Sequence, residues 1–260
     1  MTHPYTIALY LILLAGLVAW LVSVIRKDVS MVDSLWSLFF LLAGVVFAVY
    51  SQPLSDRGLL LLVLLAAWSL RLSAFITVRN WGEPEDYRYQ TIRANNEPGF
   101  AFKSLYIVFG LQGVLAWVIA LPLLPAITQD SALGVLDFVA AALWLIGFVF
   151  EAGGDYQLSR FKRDPTNKGR VLNTGLWRFT RHPNYFGDFC IWWAFYLFAV
   201  SAGGWWSIIS PLLMSVLLLK VSGVAMLEST ISERRPEYAD YIRRTNAFFP
   251  GLPKVAQAKE

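Results

Sequence analysis

Long apolar runs constrain the fold of this chain more than any other feature. About seven stretches are each long enough to cross ~30 Å of membrane hydrocarbon as a helix. Helices are required because a spanning backbone must satisfy its own polar groups. The predicted spans lie near residues 5–25, 32–50, 58–78, 103–127, 133–151, 184–202 and 205–227. The sequence therefore predicts an all-α integral membrane protein with about seven transmembrane helices.

The composition agrees with this interpretation. Hydrophobic residues make up 57% of the 260 residues and charged residues only 15%, which argues against a soluble domain. No internal repeat or low-complexity tract divides the chain, so residues 1–260 are predicted to form one membrane domain. The first apolar run has no clear cleavage site and is interpreted as a retained span. The single cysteine, Cys190, excludes an intramolecular disulfide.

The distribution of Lys and Arg predicts the orientation. One set of segments contains 19 of the 22 basic residues and alternates along the chain with nearly neutral segments. This set comprises loops 26–31, 79–102 and 152–183, the interfacial Lys103 and the tail 228–260. Because short cytoplasmic loops are enriched in basic residues, we expect the N-terminus outside and the C-terminus in the cytoplasm. In a bacterium this multi-pass protein would lie in the inner membrane.

Ionisable residues near the spans predict the position of a functional site. Such groups are costly in lipid and usually face a polar interior. In this topology all but one lie in the cytoplasmic halves of their helices, and only Asp137 lies at the other end. The cytoplasmic group comprises Asp33, Arg71, Glu151, Asp188, Lys220 and Glu228. We therefore expect a polar cavity that opens to the cytoplasm, although Lys220 and Glu228 are equally compatible with snorkelling to the headgroups.

The loop 152–183 combines charge with directional hydrogen-bonding groups. Its seven basic residues outnumber its two acidic residues and attract anions, whether lipid headgroups or a ligand. It ends in "RHPNYFGD", where Pro183 suits the first turn of a helix and the helix N-terminus, together with Arg181, suits a phosphate. No glycine-rich phosphate loop is present. A nucleotide would therefore be held by arginines and helix ends.

Other kinds of site are not predicted. The two histidines, His3 and His182, lack partners at metal-ligand spacing, so no metal site is expected. The basic loops lie against a membrane and their aromatic residues are at interfacial positions, so no nucleic-acid partner is expected.

Several stretches of the sequence resemble one enzyme superfamily. "TRHPNYFGD", the apolar segment after it and "ESTISERRPEYADYIRRTNAFFP" resemble the C-terminal half of steroid 5α-reductases. The bacterial membrane proteins of that superfamily also resemble the "MVDSLW" and "EDYRY" stretches, and sterol C14 reductases share the R-H-P-N-Y-x-G-D pattern.

This resemblance implies an NADPH-dependent reductase that acts on an activated carbon–carbon double bond in an apolar substrate from the bilayer. It places Asn184, Tyr185 and Asp188 near the nicotinamide and basic residues near the phosphates. The predicted cofactor-binding residues are Arg71, Arg79, Arg88, Asp155, Lys162, Arg163, Arg181, His182, Asn184, Tyr185 and Asp188.

The predicted catalytic residues are Asp33, Tyr87 and Tyr89. The steroid reductases have a ketone-polarising tyrosine three residues before the arginine that matches Arg71, whereas this chain has Trp68. Asp33 corresponds to their paired glutamine and glutamate in a different local pattern. To polarise a carbonyl, Asp33 has to be protonated or hydrogen-bonded to a tyrosine, and burial favours the protonated form.

Two other functions stay open. The R-H-P-x-Y-x-G segment also resembles isoprenylcysteine carboxyl methyltransferases, which bind S-adenosylmethionine. Asn184 and Asp188 favour a reductase, as does a basic loop that suits three phosphates. A transporter or lipid-binding scaffold is the third class, although no duplicated half with discontinuous helices supports transport.

Overall fold

A computed structural model describes residues 3–221 and 237–254, and within these ranges the chain contains helices and no strand. The long helices and their short connectors are numbered in chain order. They are α1 (Pro4–Arg26), α2 (Met31–Val49), α3 (Asp56–Asn80), α4 (Tyr87–Asn96), α5 (Phe100–Ile119), α6 (Leu123–Thr128), α7 (Val135–Arg163), α8 (Pro183–Ser201), α9 (Trp205–Val221) and α10 (Glu237–Arg244).

Five of these helices, α1, α2, α3, α5 and α7, are long and apolar enough to cross a membrane. They match the first five predicted spans, so the multi-pass membrane character is confirmed. The sixth predicted span is the 19-residue helix α8. The seventh is described only as far as Val221, since residues 222–236, with Glu228, lie outside the described residues. The count of seven and the orientation stay predictions.

The predicted loops contain more helix than the hydropathy indicated. Helix α7 continues through residues 152–163, because QLSRFKR contains no helix breaker and ends in basic residues that suit a helix C-terminus. In the loop 79–102, Asp86 caps α4 by accepting a hydrogen bond from the Arg88 amide at 2.9 Å. Helix α5 ends at Ile119, shortly before Pro122.

The described chain forms two compact units. The first comprises residues 3–137 and 198–210. Its core includes aromatic side chains of α2 packed against α3, where Phe40 and the fully buried Trp68 have ring centroids 5.8 Å apart. The Ser37 hydroxyl of α2 donates to the Ser69 carbonyl of α3 at 2.9 Å. Because α2 and α3 are antiparallel neighbours, this contact places Asp33 and Arg71 near the same end of the pair.

The second unit comprises residues 138–197, 211–221 and 237–254. Its helices α7 and α8 approach backbone to backbone at two glycines. A Cβ atom on Gly147 would lie 2.6 Å from the Gly187 carbonyl oxygen, and one on Gly187 would lie 2.7 Å from the Glu151 Cβ atom. The glycine of "RHPNYFGD" therefore serves helix packing in this unit.

Candidate functional site

In the first unit, five polar side chains form a cluster where α2, α4 and α5 meet. The Asp33 cluster consists of Asp33, Asp86, Arg88, Tyr89 and Gln112. Asp33 lies in the first turn of α2, and Arg88 and Tyr89 lie in the first turn of α4. Two residues predicted to be catalytic, Asp33 and Tyr89, are therefore brought into contact, although they are 56 positions apart in the sequence.

Asp33 accepts hydrogen bonds from both residues of α4. The Tyr89 hydroxyl donates to Oδ1 at 2.5 Å, and Arg88 Nη2 donates to Oδ2 at 2.6 Å. Gln112 Nε2 in turn donates to the Tyr89 hydroxyl oxygen at 3.0 Å. The structure thus contains the hydrogen bond between Asp33 and a tyrosine that the predicted role of Asp33 requires when its carboxyl group is not protonated.

Arg88 is held by two carboxylates. Its Nε and Nη2 donate to the two oxygens of Asp86, each at 3.0 Å, in addition to the bond with Asp33. Burial works to lower the pKa of Arg88, but the bond to Asp86 and the charge of Asp33 outweigh it, so this pKa lies above its ordinary value. Arg88 therefore stays charged and fixes Asp33 against α4.

The Tyr89 ring is locked in an apolar environment. It is 6% exposed and packs in a buried cluster that includes Val32, Phe100 and Val108. Burial, followed by the negative charge of Asp33, raises the pKa of Tyr89 above its ordinary value. The phenol therefore keeps its proton at neutral pH and can act as a hydrogen-bond donor.

A second ion pair holds α4 against the start of α2. Glu85 accepts from Arg93 Nη2 at 2.7 Å and from the Val29 amide at 3.0 Å. The Arg93 guanidinium also lies over the Phe100 ring, 4.4 Å from its centroid. These contacts fix the segment that carries Tyr89 relative to the segment that carries Asp33.

In the second unit, Arg181 binds the end of α10. Its Nη1 donates to the carbonyl oxygens of Thr245 at 2.6 Å and Ile242 at 3.3 Å. The guanidinium thus donates hydrogen bonds to carbonyls that a helix C-terminus leaves without backbone partners. The neighbouring Thr180 hydroxyl donates to the Phe248 carbonyl at 2.8 Å, and the Tyr241 hydroxyl donates to the Trp177 carbonyl at 2.5 Å. The C-terminal segment is therefore tied to the start of "RHPNYFGD".

The remaining polar residues of that motif also have defined contacts. Asn184 Nδ2 donates to Asp155 Oδ1 at 3.2 Å, so two predicted cofactor-binding residues meet between α7 and α8. The rings of His182 and Tyr185 are stacked with centroids 5.7 Å apart. Asp188 is half-buried one turn further along α8.

A comparison with protein families matches residues 19–245 to the family described as a protein of unknown function (DUF1295). The chain belongs to the DUF1295 family. It is also 30% identical, over 288 aligned positions, to an uncharacterised protein of Schizosaccharomyces pombe. That alignment covers 96% of this chain and 81% of the relative. No solved structure matches the chain.

In this DUF1295 member, the other predicted residues differ in exposure. Tyr87 is 52% exposed, and Arg79 donates to the side chain of the adjacent Asn80 at 3.0 Å. Lys162 and Arg163 are exposed at the end of α7. Arg71 is half-buried on α3. No group of acidic, histidine or cysteine side chains that could hold a metal ion occurs in residues 3–221 and 237–254.

Two members of the Asp33 cluster, Gln112 and Asp86, were not among the predicted site residues. Gln112 is the only amide side chain in the apolar α5, and an isolated polar residue in a span is itself a signal of function. Asp86 is an N-cap immediately before the YRYQ stretch of α4, a pattern that local sequence can also reveal.

Proposed function

We propose that this DUF1295 protein is an NADPH-dependent reductase of the steroid 5α-reductase type. It reduces an activated carbon–carbon double bond in an apolar substrate that enters from the bilayer. The observation that carries this proposal is the 2.5 Å hydrogen bond from Tyr89 to Asp33, because it joins the phenol and the carboxylate that the sequence predicts to act on the substrate carbonyl.

Tyr89 is the proposed proton donor. Reduction of an enone adds one hydride and one proton across the double bond. When bound, NADPH supplies the hydride. The phenol proton of Tyr89 is retained at neutral pH and can be given to the substrate as negative charge develops there. Asp33 is 16% exposed in its side chain and can return a proton from water to the phenolate.

The donor chemistry of the segment 160–178 fits a ligand that carries phosphates. Six basic side chains are exposed there and Asp164 is the only acidic residue in the segment. The six are Arg160, Lys162, Arg163, Lys168, Arg170 and Arg178. We propose Lys162 and Arg163 as residues that hold the cofactor phosphates, since both were also predicted from the sequence.

Arg88 and Arg181 are assigned supporting roles in this proposal. Arg88 is bonded to Asp33 and Asp86, and Arg181 is bonded to the carbonyls of Ile242 and Thr245. Phosphate binding by either guanidinium would compete with these bonds. Their predicted contact with the cofactor stays a prediction, and their visible contacts support positioning of the surrounding residues.

Parallel ligand binding tests the proposal. The protein in mild detergent is heated with NADPH, NADH or S-adenosylmethionine, and a ligand at 100 times its dissociation constant adds ~2.7 kcal/mol to the folded state. We expect stabilisation by NADPH and a loss of about 10-fold or more in its affinity for the Lys162→Glu, Arg163→Glu double variant, because hydrogen bonds to charged groups contribute about 1.5–3 kcal/mol each.

The Arg26→Glu, Lys27→Glu double variant is the matched control, because Arg26 and Lys27 are adjacent exposed basic residues at the end of α1 and their replacement changes the net charge by the same amount. This control should leave NADPH affinity nearly unchanged. Equal losses in both variants would mean that only the net charge matters. Stabilisation by S-adenosylmethionine and not by NADPH would replace the reductase with a membrane methyltransferase.

A further inference from the structure

Gln112 is directed at the Asp33 cluster by the local shape of α5. The neighbouring positions Val108, Phe109, Gly113 and Ala116 are buried, so Gln112 lies on the inward side of the helix, whereas Leu111 is 53% exposed. Residues Leu105–Gly110 form a π-helical turn that ends two residues before Gln112. Such turns rotate the following residues relative to the preceding ones and occur frequently at functional sites.

Three side chains of the cluster form a chain of hydrogen bonds in which each residue donates to the next. The Gln112 amide N–H donates to the Tyr89 hydroxyl oxygen, and the Tyr89 O–H donates to Asp33. A phenol has a single proton, so its donation to Asp33 leaves the oxygen as the acceptor for Gln112. Asp33, which accepts that proton, therefore specifies which way the Tyr89 O–H points, and the Gln112 N–H binds the acceptor side of the phenol oxygen.

We propose that Gln112 is a positioning residue that holds the Tyr89 hydroxyl and stabilises the phenolate left after Tyr89 gives its proton to the substrate. This inference rests on the proposed reductase function. When the O–H bond of Tyr89 breaks, the proton goes to the substrate and its electron pair stays on the phenol oxygen. The N–H of Gln112 then donates to a charged oxygen, and such bonds are roughly twice as strong as neutral ones.

This difference between the two states predicts an effect on turnover. An interaction that strengthens as charge develops lowers the reaction barrier, whereas one that is equal in both states changes only binding. Gln112→Met removes the N–H donor but retains the length of the side chain and a high helix propensity. We expect kcat to fall by about 10-fold with little change in KM or NADPH affinity, since a lost 1.4 kcal/mol corresponds to a factor of ten.

A double-variant cycle with Tyr89→Phe tests whether Gln112 acts through Tyr89. In the Tyr89→Phe background, Gln112→Met should cause no further loss of turnover, because residues in one hydrogen-bonded chain are coupled. Leu111→Met is the matched control at an exposed neighbouring position and should leave kcat unchanged. Equal losses from Gln112→Met in both backgrounds would overturn the inference.

A measurement without turnover separates this inference from the proposed function. Difluorotyrosine, whose phenol is more acidic, is placed at position 89, and its ionisation is followed by absorbance. Gln112→Met should decrease its ionisation constant by about 10-fold, equivalent to one pKa unit. An unchanged constant would overturn the inference. A decrease in a protein that neither binds nor oxidises NADPH would support the role of Gln112 while refuting the reductase.

Discussion

The ion pair between Arg57 and Asp137 provides a sharp test of how the first unit is held together. Both side chains are 1% exposed, and Arg57 Nε donates to Asp137 Oδ1 at 2.8 Å. Arg57 Nη2 adds bonds to Asp137 Oδ2 at 3.0 Å and to the Ala132 carbonyl at 2.8 Å. The carboxylate also accepts from the Ser201 hydroxyl at 2.8 Å. The pair thus joins the starts of α3 and α7 to the end of α8.

The cost of breaking this pair follows from its burial. Asp137→Ala leaves the Arg57 guanidinium buried without its carboxylate, and loss of one partner of a buried pair costs about 3–5 kcal/mol. Removal of both charges in Arg57→Met, Asp137→Leu leaves no buried charge behind. We therefore expect the double variant to be more stable than Asp137→Ala, because the desolvation penalty of both ions disappears with them.

The measurement is unfolding in mixed micelles, followed by tryptophan fluorescence, for the wild type, Asp137→Ala and the double variant. For a chain of this size each kcal/mol corresponds to a fall of about 2–4 °C in Tm. Loss of less than about 1 kcal/mol in Asp137→Ala, a value typical of exposed pairs, would refute the reasoning. A double variant less stable than Asp137→Ala would also contradict it.

Two further outcomes follow from the contacts. Burial, followed by the charge of Asp33, raises the pKa of Tyr89 in the folded protein above its ordinary value of 10.0. The stability that Tyr89 contributes is therefore present below about pH 10 and is lost as the pH rises through the raised pKa. The stability of the wild type relative to Tyr89→Phe should therefore be constant up to about pH 9 and should be lower at about pH 11. A relative stability that stays constant over this whole range would exclude the raised pKa. Gly187→Ala should destabilise the protein by about 1–3 kcal/mol through overpacking. Gly16→Ala is the control and should not, because its added Cβ atom would lie 3.7 Å from the nearest neighbouring atom. Similar unfolding midpoints for the two variants would contradict the close contact of α7 and α8 at Gly187.

Hydropathy predicted the long helices because the length of an apolar run reports directly on a spanning segment. It located five helices, from Pro4–Arg26 to Val135–Arg163, and agreed closely at both ends only for the first three. It missed α4 and the last three turns of α7, which are polar and depend on capping and helix propensity instead of apolar length. Local signals such as the Asp86 cap were present but do not contribute to hydropathy.

The Asp33 cluster shows how much of a site the sequence can predict. An acidic residue at the start of a span and tyrosines in a polar loop were recognisable one by one, as was a resemblance to reductases. Their contact depends on the packing of α2, α4 and α5, which no spacing in the sequence reveals. The same limit explains why Arg181 was predicted to meet a phosphate, while its bonds to Thr245 and Ile242 emerged only from the fold.

The most direct test of the proposed function is transfer of hydrogen from the cofactor to a lipid. The wild-type protein is incubated with NADPH deuterated at the transferred position and a lipid extract of its membrane, and the products are analysed by mass spectrometry. We expect lipids that have gained one deuterium and one proton, and we expect their yield to fall by about 100-fold or more in Tyr89→Phe, the usual contribution of a general acid. Absence of deuterium from every lipid, while trideuteromethyl groups are transferred from labelled S-adenosylmethionine, would contradict the reductase and identify a methyltransferase.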